Sequence, residues 1–244
     1  MIDAFVQLLL ALNKILFNNL GLTIIVIGIV SRVAFHPLFV QSMKYTKALR
    51  DMKPKLDEAK RKHGNNSLKL AAEQSRLFKE HGVNPASGAI GCLSFIVQIG
   101  VALLLFNSLR QIVGSGVDTH FFIWDLGKPD VYRQAGWSLP IPGFLVIITA
   151  IATFIQSKMV LPEATQPAKT EGKNKAPDFA EQMASSQSLM AYFFPVLILF
   201  WGVTFASGLM LYWLVSTLLG IIQQYTVVGP GGLKPWLVRL KMTN

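Results

Sequence analysis

Arg32 stands in the run Val26-Ile-Gly-Ile-Val-Ser-Arg-Val-Ala-Phe-His-Pro37, a fixed cation among residues that prefer hydrocarbon. A guanidinium offers five N–H donors in a planar fork and no acceptor, so its chemistry is to bind an anion or ordered water. Polar residues recur at helical spacing in other apolar runs: Thr149, Thr153 and Gln156; Trp213, Thr217, Gly220 and Gln224; and the pair Ser94 and Gln98. Thr and Gln also tie helices together in bundles. Beside an unpaired arginine, however, the three sets point to a shared hydrophilic groove. These groups bind; they do not catalyse. The four histidines show no i, i+4 pairing, and the one in an apolar run, His36, lies at its end beside Pro37. Cys92 is the single cysteine, which excludes a disulfide framework and a thiolate metal site, and no phosphate-cradling Gly-x-x-x-x-Gly-Lys occurs. The expectation is a protein that is not an enzyme and holds no metal or cofactor.

The elements that must position these residues follow from composition. Only 15% of the 244 residues are charged and 52% are hydrophobic, with a mean hydropathy of +0.43, so the charges are too few for a soluble domain. The fold class expected is an all-α membrane protein with five transmembrane helices, an N-terminal interfacial helix and a cytoplasmic helical hairpin. A span needs ~20 apolar residues, and the runs that qualify are 20–41, 88–110, 141–160, 188–205 and 206–226. The last two are nearly one apolar stretch, so Thr204-Phe-Ala-Ser-Gly208 is the expected reversal and the two helices an antiparallel pair. In 1–19, Asp3, Gln7, Lys14 and Asn18 form a narrow polar stripe, as in a helix lying on the membrane surface. Met1-Ile-Asp-Ala-Phe lacks the basic start of a cleavable signal peptide.

Eighteen of the lysines and arginines fall in 42–87, 158–187 and the 227–244 tail, against four in Lys14 and the 110–140 stretch. Short basic loops stay cytoplasmic, which places the N-terminus outside and the C-terminus inside. Segment 42–87 reads as two helices: a charged one over 42–63 that Pro54 must kink or restart, then a Gly64-Asn-Asn-Ser67 turn with Ser67 as N-cap, and a second helix ending near Gly82. Its basic face suits anionic lipid, the ribosome or a targeting receptor. Segment 161–187 is a linker rich in proline, glycine and charge. The extracytoplasmic loop 111–140 carries Phe121, Phe122, Trp124, Tyr132 and Trp137, which suit an interfacial aromatic belt.

Arg32 is the thirteenth residue of its run, about 3 Å past the midpoint at ~1.5 Å per residue. An arginine there costs roughly 2.5–3.5 kcal/mol on insertion scales. Snorkelling would have to reach another ~12 Å to the interface. An internal ion pair fails on inventory, because none of the five runs contains Asp or Glu. What remains is a water-filled cavity within the membrane, or a partner supplied by another molecule.

The order of parts resembles the YidC/Oxa/Alb family of membrane-protein insertases over almost the whole chain. Four stretches carry the resemblance: Ser31-Arg-Val-Ala-Phe-His-Pro-Leu38; Gly82-Val-Asn-Pro85 with Gly91-Cys-Leu-Ser-Phe-Ile-Val-Gln98; Phe154-Ile-Gln-Ser-Lys-Met159; and Phe194-Pro195 with Ser207-Gly-Leu-Met-Leu-Tyr-Trp213 and Ile221-Ile-Gln-Gln224. Family members usually carry proline where this chain has Ser94, Gly100 and Ala206, and asparagine at Thr217. The resemblance implies a minimal form of the insertase, in the plasma membrane. It implies a groove in the inner leaflet, open to cytoplasm and lipid but closed outside, with Arg32 at its heart and Gln156 and Trp213 lining it. Gln98, Thr153 and Thr217 join them by helical spacing. The substrates implied are nascent membrane proteins, with the ribosome, the signal-recognition-particle receptor and the Sec translocon as candidate partners and a monomer as the active unit. The alternative from another class is a small anion transporter or channel with Arg32 as its binding site.

Overall fold

A computed structural model of the chain describes residues 2–63, 67–80, 87–113, 115–133, 140–161 and 179–242. The Gly64-Asn-Asn turn, the Gly82 stop, Trp137 and most of the 161–187 linker lie outside the described residues. Helix α1 (Ile2–Ile15) is followed after a short turn by α2 (Leu20–Ala34), and the two axes meet at 117°. The reversal is made by Phe17 and Asn18, both in the left-handed region (φ 58° and 55°). Asn19 starts α2, its Oδ1 accepting from the Leu22 N–H at 2.9 Å, which satisfies one of the donors a helix start leaves orphaned. Across the elbow, the Thr23 hydroxyl donates to the buried Asn13 Oδ1 at 3.2 Å. The polar stripe Asp3, Gln7, Lys14 and Asn18 is exposed, while Leu9 on the opposite face is fully buried.

Helix α2 stops at Phe35, whose N–H donates to the Ser31 carbonyl at 3.1 Å, and α3 (His36–His63) begins at the next residue. Pro37 falls in the first turn of α3, where its missing N–H would have had no intrahelical partner. The apolar run read over 20–41 is therefore divided between two helices. Pro54 lies inside α3 and does not restart it; one lost hydrogen bond costs ~3 kcal/mol, which the packing of α3 on α4 (Ser67–Glu80) and on α5 (Ser87–Ile112) offsets. Met52, Ala59 and Leu77 are buried along α3 and α4.

Two short antiparallel strand pairs follow α5, β1 (His120–Phe121) with β2 (Trp124–Asp125) and β3 (Val131–Tyr132) with β4 (Ile141–Pro142). They cap the next helices. Asp130 Oδ2 accepts from the Leu145 N–H at 2.7 Å at the start of α6 (Phe144–Val160), where Gly143 has no side chain to do so. The Ser207 and Gly208 N–H groups at the start of α8 (Ser207–Val228) donate to the Lys128 and Leu126 carbonyls at 2.7 and 3.0 Å. Hydrogen bonds from Lys128, Thr119 and the Gly127 N–H hold the Asp125 carboxyl down at about 2 against its partial burial. That link is complete above the ordinary aspartate value of ~3.9 and is lost as pH falls through about 2. Phe121, read as part of an aromatic belt, is instead buried in the core, whereas Phe122 beside it is exposed.

Helix α8 is central, lying against α2, α6, α3 and α5. The last two apolar runs do not form the tight antiparallel pair expected: α7 (Phe179–Gly202) and α8 both pack on α6, and the described part of α7 meets α8 through the rings of Phe194 and Trp213, 5.8 Å apart. The apolar core occupies one end of the bundle. It is built from Leu20, Ile24 and Ile27 of α2, Leu105 and Leu109 of α5, Leu145 and Val146 of α6 and Leu209 to Tyr212 of α8, with Phe121 and Leu126 from the strand loop. At the other end a 3-10 turn (Gly231–Leu233) leads into α9 (Lys234–Met242). There Lys158 donates to the Tyr192 hydroxyl and sits 4.5, 5.7 and 5.8 Å from the ring centres of Tyr192, Trp236 and Phe154, tying α9 to α6 and α7.

By length and composition alone, Ser207–Val228 is long and apolar enough to cross a membrane, and α1 with α2 passes the same test as a bent pair. Ile96–Ile112, Phe144–Val160 and Ala191–Gly202 are shorter apolar stretches.

Candidate functional site

Where the apolar core ends, the helices separate around a cavity of about 310 Å³. Arg32, Gln98, Thr153, Gln156, Trp213 and Thr217, the six residues singled out from the sequence, all line it. So do Ser94 and Gln224. Thr149 does not; its hydroxyl donates to the Leu145 carbonyl at 2.7 Å and is spent on its own helix. Thr153 likewise donates to the Thr149 carbonyl at 2.8 Å, so at that position the wall presents a methyl group more than a free hydroxyl.

Arg32 comes from the last turn of α2 and is 8% exposed. Its Nε donates to the Ser216 carbonyl of α8 at 3.1 Å, and its Cζ lies 4.2 Å from the centre of the Phe39 ring. One helix carbonyl and one aromatic face therefore orient the fork. Neither neutralises it, and Nη2 lies against Gly220 of α8 on the same side as Gln156 Nε2. Gly220 permits that approach: a Cβ there would stand 2.2 Å from Arg32 Nη2 and 2.1 Å from Gln156 Nε2. The glycine at i+7 from Trp213 is thus the gap into which two polar side chains from different helices converge.

The lining contains three cations, Arg32, Lys47 and Arg50, and among the described residues no carboxylate. No group of three or more His, Cys, Asp or Glu stands together among the described residues either. Such a surface is suited to hold an anionic or strongly polar guest, and its desolvated walls make each charge count for more than it would in bulk water.

Sequence reasoning missed the contribution of α3. Phe39, Ser42, Met43, Thr46, Lys47 and Arg50 all line the cavity, although 20–41 reads as a span and 42–87 as a separate cytoplasmic hairpin. The available signal was Pro37, which is tolerated in a first helical turn and so marks a fresh start just before Phe39. His36 also points back to the bundle, its Nδ1 2.6 Å from Gln223 Nε2 of α8.

Comparison with known proteins gives a consistent picture. Residues 11–229 match the profile of the family described as 60Kd inner membrane protein. The chain is 31% identical over 229 residues to membrane protein insertase YidC 2 of Bacillus anthracis, covering 92% of this chain and 78% of that one. It is 28% identical over 229 residues to membrane protein insertase MisCA of Bacillus subtilis (strain 168), covering 92% and 76%. Against membrane protein insertase YidC of Prosthecochloris aestuarii it is 31% identical over 222 residues, 88% of this chain but 34% of that longer protein.

Proposed function

Because the chain belongs to the 60Kd inner membrane protein family, we propose that it is a membrane protein insertase and chaperone that moves short hydrophilic tails of nascent membrane proteins across the plasma membrane. The substrate's tail enters the cavity, its acidic groups drawn to Arg32, and the substrate's apolar helix then partitions into lipid. The observation that carries this reading is a buried arginine facing a polar cavity with no carboxylate among the described lining residues. A charge held there without a counter-ion costs several kcal/mol, which a transient acidic guest offsets in part while it is bound.

On this reading five helices, α2, α5, α6, α7 and α8, span the bilayer with the N-terminus outside and the C-terminus in the cytoplasm, α1 lies in the outer interface, and α3 with α4 projects inward as a hairpin. The core then seals the outer half and the cavity opens to the inner half. With 15 and 17 residues, α2 and α6 reach only ~22 and ~26 Å against a hydrocarbon thickness of ~30 Å. Short spans beside the cavity thin the membrane a tail must cross. The basic hairpin and tail face anionic lipid, and the ribosome, signal-recognition-particle receptor and Sec translocon are the partners proposed for that side.

Purified protein in proteoliposomes is expected to insert a single-spanning substrate with a short acidic outer tail, read as protease protection of that tail, and to pass no chloride or phosphate without substrate. Anion flux through protein that inserts nothing would instead favour an anion transporter or channel built on Arg32.

A further inference from the structure

Arg50 lines the cavity two turns of α3 beyond Met43, beside the lining residues Met159, Val160 and Val228 at the ends of α6 and α8, and this end is taken as its mouth. Its side chain is only 14% exposed, although nothing in a charged helix such as α3 requires burial there. Two features hold it. Nη1 donates to the Met159 carbonyl in the last turn of α6 at 3.4 Å, where the helix end is negative and favours a cation. Gly231, at φ 52°, closes over it, and a Cβ at that position would lie 2.5 Å from Nη1 and 2.0 Å from the Met159 oxygen. The backbone of the C-terminal turn thus packs closely against both the Met159 carbonyl and this guanidinium. Asp51 approaches Nε at 3.8 Å, a distance at which an exposed carboxylate adds little. A fork with five donors that spends one on Met159 and faces a cavity has others to offer. Lys47, three residues earlier on the same helix, lines the same mouth.

We propose that Arg50, assisted by Lys47, is a second binding residue for the acidic tail of the substrate, met at the cavity mouth before the tail reaches Arg32. This rests on the insertase reading and deepens it: the preferred tails carry at least two acidic groups, one for each station. The entry cation is placed by three separate parts of the chain, α3, the end of α6 and the C-terminal turn.

The test compares Arg50→Gln, Arg50→Lys, Gly231→Ala and Arg32→Gln in proteoliposomes, using substrates that differ only in having zero, one or two acidic residues in the tail. Arg50→Gln is expected to lower insertion of the two-acid substrate about fivefold, as for loss of a partly buried charged contact, and to leave the neutral tail unchanged. Arg50→Lys restores most of the loss. Gly231→Ala, whose Cβ would meet the Met159 carbonyl oxygen at 2.0 Å as well as Arg50 Nη1 at 2.5 Å, shifts the C-terminal turn together with the guanidinium and is expected to lower insertion of the two-acid substrate and thermal stability together. If Arg50→Gln lowers all three substrates equally, the residue only caps α6; if it lowers none, the second station does not exist. Either result overturns the proposal. Should Arg32→Gln show no dependence on tail charge either, the electrostatic reading of the whole cavity falls, whereas an acid-selective Arg32→Gln beside an indifferent Arg50→Gln removes only the second station.

Discussion

Arg32→Glu is expected to lower insertion of a substrate with an acidic tail at least about tenfold in proteoliposomes, while Arg32→Lys retains a substantial fraction. At an effective dielectric of ~20 a unit charge 4 Å from a carboxylate contributes ~4 kcal/mol, more than enough for a tenfold change at ~1.4 kcal/mol per decade. Glutamate in that place either repels the tail or takes up a proton and becomes neutral, as buried carboxyls do; both outcomes remove the attraction. Lysine keeps the charge but loses the Nε bond to the Ser216 carbonyl and the guanidinium contact with the Phe39 ring, so it is less well aimed. A substrate with an uncharged tail should respond much less to either change. Equal insertion of the acidic substrate by wild type and Arg32→Glu would remove the electrostatic part of the mechanism.

Gly220→Ala is expected to separate stability from function. An added Cβ meets only the far ends of Arg32 and Gln156, at 2.2 and 2.1 Å, and flexible ends can swing aside. Alanine also favours helix over glycine by roughly 0.8–1.0 kcal/mol. Thermal unfolding in detergent should therefore be unchanged or slightly raised. Insertion should nevertheless fall about fivefold, because both polar groups leave the position that faces the cavity and ~1 kcal/mol of binding goes with them. A variant that loses stability and activity together would show that Gly220 serves helix packing instead.

Much of the cavity was legible in the sequence because its chemistry conflicts with its surroundings. Arg32, Gln98, Gln156 and Gln224 are costly in hydrocarbon unless they share a polar space, and helical spacing assigns Thr153 and Thr217 to the same faces. Residues that contribute by shape escaped. Nothing about Phe39 in isolation shows that its ring lies under a guanidinium, and the Ser216 carbonyl that orients Arg32 has no side-chain signature at all. The division of 20–41 at Phe35 was missed because apolar content continues across it; what ends α2 is backbone geometry, which hydropathy does not see. In the loop before α6, one aromatic was misplaced for a related reason. The loop's aromatics invite a membrane-surface reading, yet Phe121 is core and the polar residues Asp130 and Lys128 do the capping through one carboxylate and one carbonyl. Sequence adjacency suggested a tight pairing of α7 with α8, whereas both helices pack mainly on α6 and meet each other through few residues.

The most direct measurement places a photoreactive side chain at Gln98, which lines the cavity with Arg32 without replacing the cation, and crosslinks it in cells to a stalled nascent chain with an acidic tail. Adducts should form at tail positions flanking the acidic residues and should largely disappear when Arg32→Glu is added to the same protein. Adducts of undiminished strength in the Arg32→Glu background, or adducts confined to the substrate's apolar helix, would contradict a groove that receives the tail by its charge.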